Sequence, residues 1–395
     1  MKRFALLAVF LLLPLSCWSA AKKITVAELQ DMLQSLHRDN KGDAEVSTAL
    51  KQVVLSEQLT RTVMNSLVDF VPGQLSTEQI YVLEARSATL APPAGDIPAT
   101  PAPDSAAQQA LLAKAATYAS TTYQQLPALT AVRTTLRFQD NMEALAGSSG
   151  MQGSAKDASQ TAIGVSPNHF VRYINASDAA IELERGVERL PEDKTRWGAN
   201  RMIAIMTPYP GLSQVFQEAT EAGTVKWLRW ELVNGKPAAV FSYEVPKKKA
   251  HVAVNVCCFP EIDQAGTARF SSAAVAGAQG SGSGGAKGDF QTNTDWHPYK
   301  QNNLPYHGEL FIDPDNGIVV RMIAQMEPKN SDVVHQDEMR IDYGPVTVGD
   351  KALVLPVRAV AITQVVVNGE ASAGGYSERC TLFTTEYKNY QQAQK

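Results

Sequence analysis

The stretch 224–259 constrains the fold of this chain more than any other part of the sequence. It contains Asn234-Gly235, a pair typical of two-residue hairpin turns, because both central positions of a type I′ turn need a positive φ. On each side of this pair, and again beyond the three lysines at 247–249, apolar and polar residues alternate. The alternation predicts three consecutive antiparallel strands with one apolar face and one more polar face.

Similar strand patterns continue towards the C-terminus, whereas helical patterns gather near the N-terminus. We therefore predict an α+β fold, in which a small helical unit (22–91) and a Pro/Ala linker (92–104) precede a large curved antiparallel β-sheet with one or two packing helices (105–390). Gly/Ser-rich stretches at 147–164 and 277–288 predict flexible loops within the sheet region. The formal charge of −4, without a concentrated basic patch, argues against a nucleic-acid partner.

Residues 1–21 have the pattern of a secretory signal peptide. Lys2-Arg3 is followed by an apolar run at 4–15, too short to span a bilayer, and by small residues at 19–21. We expect an exported protein, periplasmic or extracellular, without a transmembrane span. The alternative is a lipoprotein anchored at Cys17, which the proline three residues before that cysteine disfavours.

Removal of such a leader leaves Cys257, Cys258 and Cys380. An oxidising compartment favours a disulfide between two of them, and we predict Cys258–Cys380, with Cys257–Cys380 as the rival pairing. A bridge between such distant strands would stabilise the fold by about 4–5 kcal/mol. Three reduced cysteines that pack as small apolar side chains are the third possibility. Because no suitably spaced histidine completes a zinc site, no metal is predicted.

Aromatic residues concentrate in the hairpin around Asn234-Gly235, at Trp227, Trp230, Phe241 and Tyr243. Packing in the core is the first interpretation, because aromatic side chains supply much of a sheet's cross-strand stabilisation. The second is that these residues, with His307, line a cavity or a partner groove. The two tryptophans would fall on opposite faces of a regular strand, so we expect either a bulge between them or an exposed ring.

Local motifs for catalysis are absent from the sequence. No two of the six histidines lie four residues apart, and no H-E-x-x-H or G-x-S-x-G motif occurs. The glycines at 280–285 match a nucleotide-binding pattern without a preceding strand, and the acidic turn at 313–317 fits an Asx turn better than a calcium loop. His307, Glu309 and Arg340 form the best polar cluster, which we interpret as a solvated sheet face. We predict no cofactor and no enzymatic activity.

Several short motifs resemble a family of uncharacterised secreted proteins of acidobacterial type: Tyr-His-Gly-Glu at 306–309, Ile-Asp-Pro at 312–314, Asp-Tyr-Gly-Pro-Val at 342–346 and Leu-Pro-Val at 355–357. More distantly, the Asp-Pro hairpin followed by a polar strand and a Leu-Pro run is similar to the periplasmic lipoprotein-carrier (LolA-like) fold. That resemblance implies a half-barrel-like sheet with an apolar concave face, and it implies no catalytic residue.

Three functional hypotheses follow from these patterns. The first is an exported cell-envelope binding protein, whose curved sheet holds an apolar ligand such as a lipid or a lipoprotein, or a partner segment. The second is a non-catalytic scaffold with a filled core, whose helical unit (22–91) docks an envelope partner. The third is a hydrolase whose site is assembled from distant residues.

Overall fold

The computed structural model describes residues 22–140, 171–185, 187–189, 204–205, 211–222, 224–260, 296–329, 334–367 and 377–393. Within these residues the predicted α+β class is confirmed. A ten-stranded antiparallel sheet, curved but not closed into a barrel, has helices packed on both of its faces.

The helices gather towards the N-terminus, as the sequence predicts. The α-helices are α1 (Val26–Arg38), α2 (Asp43–Lys51), α3 (Arg61–Val68), α4 (Gln74–Arg86), α5 (Ser105–Thr117) and α6 (Leu212–Ala222). A short 3₁₀-helix (Ala94–Asp96) lies within the predicted linker, and a π-helix (Tyr118–Tyr123) continues α5.

Fifteen strands are formed by the described residues. They are β1 (Lys22–Ile24), β2 (Val53–Leu55), β3 (Leu129–Asp140), β4 (Val171–Glu184), β5 (Val187–Arg189), β6 (Ala204–Ile205), β7 (Lys226–Val233), β8 (Lys236–Val245), β9 (Ala253–Pro260), β10 (Trp296–Asn302), β11 (Tyr306–Ile312), β12 (Val319–Met326), β13 (Val334–Val348), β14 (Lys351–Val367) and β15 (Ser377–Gln392).

The first four helices enclose a hydrophobic cluster of their own, which includes Leu29, Leu33, Leu50 and Ile80. This helical unit also contains two short strands, β1 and β2, which pair in parallel. Two of the three residues of β2 are valines, and β-branched side chains favour a strand over a helix.

The order of the large sheet is β5-β4-β3-β15-β14-β13-β12-β11-β8-β7. The predicted β7–β8 hairpin is present, and Asn234 and Gly235 have φ of 52° and 77°, as a type I′ turn requires. The prediction that β9 follows β8 in the same sheet is wrong. After Val245 the chain makes one helix-like turn, in which Ala250 donates its N–H to Pro246, and β8 pairs with β11 instead. β9 lies between β10 and β6 in a separate three-stranded sheet.

Each face of the large sheet has its own covering. The front face, which carries Phe241, Tyr243 and Met322, packs against α5, the π-helix and α6. The back face packs against α4, where Val82 and Ala85 contact a cluster that contains Val360 and Leu382. The helical unit therefore sits against the back face through α4.

Candidate functional site

A row of charged side chains crosses the back face of the sheet. Arg321, Asp342, Arg358 and Glu386 lie opposite one another on the consecutive strands β12 to β15, so that positive and negative groups alternate. Arg321 Nε donates to Asp342 Oδ1 at 2.6 Å. Burial alone would raise the pKa of Asp342, but Arg321 and Arg340 outweigh that effect, and the pKa is lowered.

The same row continues to the edge of the sheet. Glu231 on β7 lies 3.4 Å from Arg321, and Arg229 binds both Glu231 and Glu309. The two N–H···O contacts from Arg229 to Glu309, at 3.0 and 2.8 Å, form the bidentate geometry that favours arginine over lysine. At this end of the row, therefore, each charged group faces an opposite charge.

The other end of the row meets the helical unit at Glu84 on α4. The Glu84 side chain is 2% exposed and lies 2.6 Å from Arg358 Nη2 and 3.4 Å from Arg61 Nε. Two arginines, one from α3 and one from β14, thus share one carboxylate oxygen. Close by, Thr89 Oγ1 donates to Glu338 Oε2 at 2.6 Å. These contacts join the helical unit to the sheet.

A polar cleft opens beside this arginine pair. It has a volume of about 370 Å³, and its lining includes Arg61, Asn65, Tyr81, Arg358, Glu386 and Lys388. We call it the cationic cleft. Lys388 and Glu386 form a 2.7 Å ion pair at its outer side, and the hydrogen bond from Lys388 lowers the pKa of Glu386.

A second cavity, which we call the junction pocket, also lies between the helical unit and the sheet. Its volume is about 310 Å³, and β2 and α4 supply one side of it while β13, β14 and β15 supply the other. Its apolar lining includes Val53, Leu55, Leu83, Leu90, Ile362 and Cys380. Lys23, which is exposed, and Arg86, which is half-buried, contribute to the same lining.

The structure places the predicted ligand-binding aromatic residues on the front face. Phe241 and Tyr243 are 0% and 1% exposed, in the cluster that α5 and α6 complete. Trp227 and Trp230 are half-buried against this cluster, with ring centroids 5.0 Å apart. The register of β7 shifts after Trp227, which places both rings on the same side of the sheet. This shift is a bulge, one of the two arrangements expected from the sequence. Their ligand-binding role stays a prediction, and Phe241 and Tyr243 are already packed against the chain's own side chains.

The predicted polar cluster is divided among separate pairs. His307 Nδ1 lies 2.8 Å from Glu327, whereas Glu309 binds Arg229 and Arg340 binds Asp342. The three residues share the back face without converging on one point.

The described residues contain no disulfide. Cys380 is buried on β15, and Cys258 lies on β9 in the other sheet, with its side chain outside the described residues. The Cys258–Cys380 and Cys257–Cys380 pairings therefore stay predictions.

Chemistry-bearing clusters are also few in the described part of the chain. It contains no group of three or more metal-ligating side chains. At the 313–317 turn, Asp313 accepts from the Asp315 N–H at 2.9 Å, and Asn316 accepts from the Ile318 N–H at 2.8 Å. These bonds make the turn an Asx turn. The glycines at 280–285 lie outside the described residues.

Sequence reasoning missed the residues of the junction, above all Glu84 and Arg358. One signal was available. Arg321, Arg340 and Arg358 interrupt otherwise apolar strand patterns, and an arginine in a covered strand must find a partner. The partner could not be named, because Glu84 lies far from Arg358 in the sequence.

No family model, no curated protein and no solved structure matches this chain. The resemblance to acidobacterial-type secreted proteins and to the lipoprotein-carrier fold therefore stays a prediction. Among the described helices, none is both long enough and apolar enough to cross a membrane.

Proposed function

We propose that this protein is an exported binding protein of the cell envelope, which holds the acyl chain of an anionic lipid in the junction pocket. The single observation that carries the proposal is the lining of this pocket, which is mostly apolar and includes two cationic side chains, Lys23 and Arg86. The leader pattern at 1–21 supports the export, and the carrier resemblance supports the lipid.

The apolar walls supply the binding free energy, and the cations supply the preference for a charged head group. At about 310 Å³ the pocket is at the lower end of the range for small-molecule sites, so it suits one medium-length chain. Val54 and Leu90 are half-buried in the lining, and an acyl chain against them would remove more apolar surface from water. The front face of the sheet is the weaker candidate, because α5, the π-helix and α6 cover it.

Calorimetric titration with decanoate and with decanol tests this function. We expect both to bind, and decanoate to bind at least several-fold more tightly because Lys23 and Arg86 attract its carboxylate. Replacement of Lys23 and Arg86 by glutamine should abolish the difference while decanol binding is kept. If neither probe binds, the lipid role is wrong.

A pocket-filling variant gives the site its own test. Val54 is half-buried and lines the pocket, so Val54→Trp should occupy the space and weaken decanoate binding at least tenfold. Val320→Trp is the matched control, because Val320 is also a half-buried strand valine but does not line the pocket. Circular dichroism checks that both variants are folded. If the two folded variants bind decanoate with equal affinity, the junction pocket is not the binding site.

The scaffold is the second candidate function, and the filled front face favours it. In that case the helical unit would capture an envelope partner, and full-length protein would retain the partner without any bound lipid. Pull-down with and without residues 22–91 separates this role from the lipid role, when it is read together with the decanoate titration.

A further inference from the structure

The two arginines at Glu84 carry more positive charge than their surroundings neutralise. Glu84 is one carboxylate between Arg61 and Arg358, so the three groups together keep a charge of about +1. Of the other carboxylates near these arginines, Asp342 binds Arg321 and Arg340, and Glu386, which lies opposite Arg358, forms an ion pair with Lys388. Burial lowers the pKa of Arg358, Glu84 raises it and Arg61 lowers it further, and the net direction is down.

Within the described residues, these two arginines also have more hydrogen-bond donors than acceptors around them. Arg61 Nη2 and the Nε and Nη2 atoms of Arg358 are buried and lack a hydrogen-bond acceptor, and Glu84 Oε2 is buried without a donor, so the unpartnered donor atoms outnumber the unpartnered acceptor three to one. Arg358 Nη2 is close to Glu84 in distance, but the pair does not have hydrogen-bond geometry. Buried polar groups without partners are costly, and they are rare in native proteins unless a ligand or water serves them.

The cationic cleft brings a third positive group to this position. Arg61, Arg358 and Lys388 all line it, and Arg61 is held over the ring of Tyr81 at 5.3 Å. Lys388 and its partner Glu386 are 58% and 43% exposed, and such surface pairs contribute little, so Lys388 can turn towards a ligand at small cost.

We infer that the cationic cleft binds a phosphate group, through the guanidinium groups of Arg61 and Arg358 and the ammonium group of Lys388. The three cations together with Glu84 and Glu386 keep a charge of about +1, which attracts a phosphate group, and the phosphate oxygens fit the planar fork of arginine in a bidentate manner. The volume of about 370 Å³ exceeds that of a phosphate alone, so the cleft also has room for the organic part of a phosphate monoester.

Calorimetric titration of the full chain with inorganic phosphate and with glycerol 3-phosphate tests the inference. Binding of both probes identifies the phosphate group itself as the ligand, and tighter binding of glycerol 3-phosphate assigns the rest of the cleft to the organic part. Absence of binding by both probes overturns the proposal.

Arg61→Gln should weaken the binding of both probes at least tenfold, because it removes one charge-assisted contact. Arg38→Gln is the matched control, since Arg38 is an exposed arginine of the same helical unit outside the cleft. Lys388→Gln, which alters an exposed side chain, should weaken the binding of both probes several-fold. This variant replaces Arg61→Gln as the test if Arg61→Gln does not fold. Equal affinities for folded Arg38→Gln and Lys388→Gln, or for Arg38→Gln and Arg61→Gln, overturn the assignment.

Discussion

Gly308 shows how the absence of one side chain permits a contact between strands of the sheet. A Cβ atom at this position would lie 1.9 Å from Ile323 O and 2.7 Å from Tyr243 Oη, both closer than real Cβ atoms approach. Tyr243 donates its hydroxyl to Ile323 O at 2.8 Å, so its ring passes directly over Gly308. The sequence shows the glycine, but the ring that needs it comes from another strand.

Gly308→Ala should therefore destabilise the protein by about 1–3 kcal/mol, because the new methyl group must displace either the tyrosine or the backbone of β12. Urea unfolding at neutral pH measures the change. Gly95→Ala is the matched control, since a Cβ there meets nothing within 4 Å, and it should alter the free energy of unfolding by less than about 0.5 kcal/mol. Equal losses in the two variants would contradict this explanation.

Asp337 is a second residue whose burial has a measurable consequence. It is 3% exposed and accepts a hydrogen bond from Thr363 Oγ1 at 2.7 Å. Burial and, to a smaller extent, Glu338 raise the pKa of Asp337 to about 7, although the hydrogen bond from Thr363 lowers it. The folded protein thus holds this carboxyl group protonated at pH values where the unfolded chain has lost the proton.

The sign of the pH dependence follows from this shift. The stabilising effect of protonation is complete below the unfolded pKa, near 4, and it is lost as the pH rises towards 7. The asparagine of Asp337→Asn cannot ionise. The free energy of unfolding of this variant, relative to that of the wild type, should therefore increase by up to about 1.4 kcal/mol for each pH unit between pH 4 and pH 7. Urea midpoints between pH 4 and pH 8 test it, with the exposed Asp350→Asn as control. A constant difference between variant and wild type would refute the assignment.

Asp43 illustrates what residue patterns cannot resolve. Ser76-Thr77-Glu78-Gln79 has the sequence pattern of a capping box, but α4 begins two residues before Ser76, at Gln74. Its preceding Gly73 has no side chain, and Asp43 supplies the cap from a different helix, accepting from Leu75 N at 3.0 Å and Ser76 N at 2.8 Å. The hydrogen bond from Ser76 lowers the pKa of Asp43. An aspartate at position 43 indicates helix capping, but the sequence does not show which helix it caps, because Asp43 and α4 meet only in the tertiary structure.

At the scale of elements, turns with a specific backbone requirement were the most predictable. The β7–β8 and β11–β12 hairpins are both present, because Asn234-Gly235 and the Asx turn at 313–317 fix their registers locally. Segments without such a turn were less predictable. The pattern at 169–184 is typical of two strands that turn at 175–178, but β4 runs through this interval as one strand that pairs with β3 on both sides of a register shift.

The linker is an element that the sequence defined by composition alone. It was predicted as a semi-rigid spacer at 92–104, and the structure adds a contact with β7, where Trp230 Nε1 donates to Pro101 O at 3.0 Å. Within the linker, Ile97 is 42% exposed. The Trp230 contact therefore restrains an otherwise accessible segment.

Trp230→Phe keeps an aromatic ring but removes the donor. Loss of one hydrogen bond, worth about 1 kcal/mol, should increase local opening of the linker several-fold. Hydrogen–deuterium exchange, followed by mass spectrometry of a peptide that contains Ile97, should show correspondingly faster exchange in the linker. Trp227→Phe is the matched control, because Trp227 packs on Trp230 and Phe241. Equal exchange rates in the two variants would contradict a restraining role for the indole N–H.

At the scale of the whole molecule, the helical unit and the sheet have separate hydrophobic clusters, joined through α4. Leu83 of α4 belongs to the first cluster, while Val82 and Ala85 belong to the second. The sequence predicted the two units and gave no reason for their contact, because Glu84 and Arg358 become neighbours only when both units have folded. Both candidate binding sites lie at this contact.

Glu84→Gln should uncouple the two units. It leaves Arg61 and Arg358 buried without a carboxylate, and breaking a buried ion pair typically costs about 3–5 kcal/mol. Four of the five tryptophans lie within 105–390 and the fifth, Trp18, lies in the predicted leader, so the fluorescence of the protein without the leader reports the sheet region, whereas four of the six described α-helices belong to the helical unit. In the wild type, urea transitions followed by fluorescence and by far-ultraviolet circular dichroism should coincide.

In the Glu84→Gln variant the circular dichroism transition should come first, because the helical unit loses its charge-paired contact while the sheet keeps its own covered front face. Glu78→Gln on the same helix is the matched control, since Glu78 accepts only a hydrogen bond from Gln74 among the described contacts, and its two transitions should stay together. Coincident transitions in the Glu84→Gln variant would mean that apolar packing of Val82 and Ala85 is sufficient to join the units. The charge row would then serve binding in the cationic cleft rather than assembly.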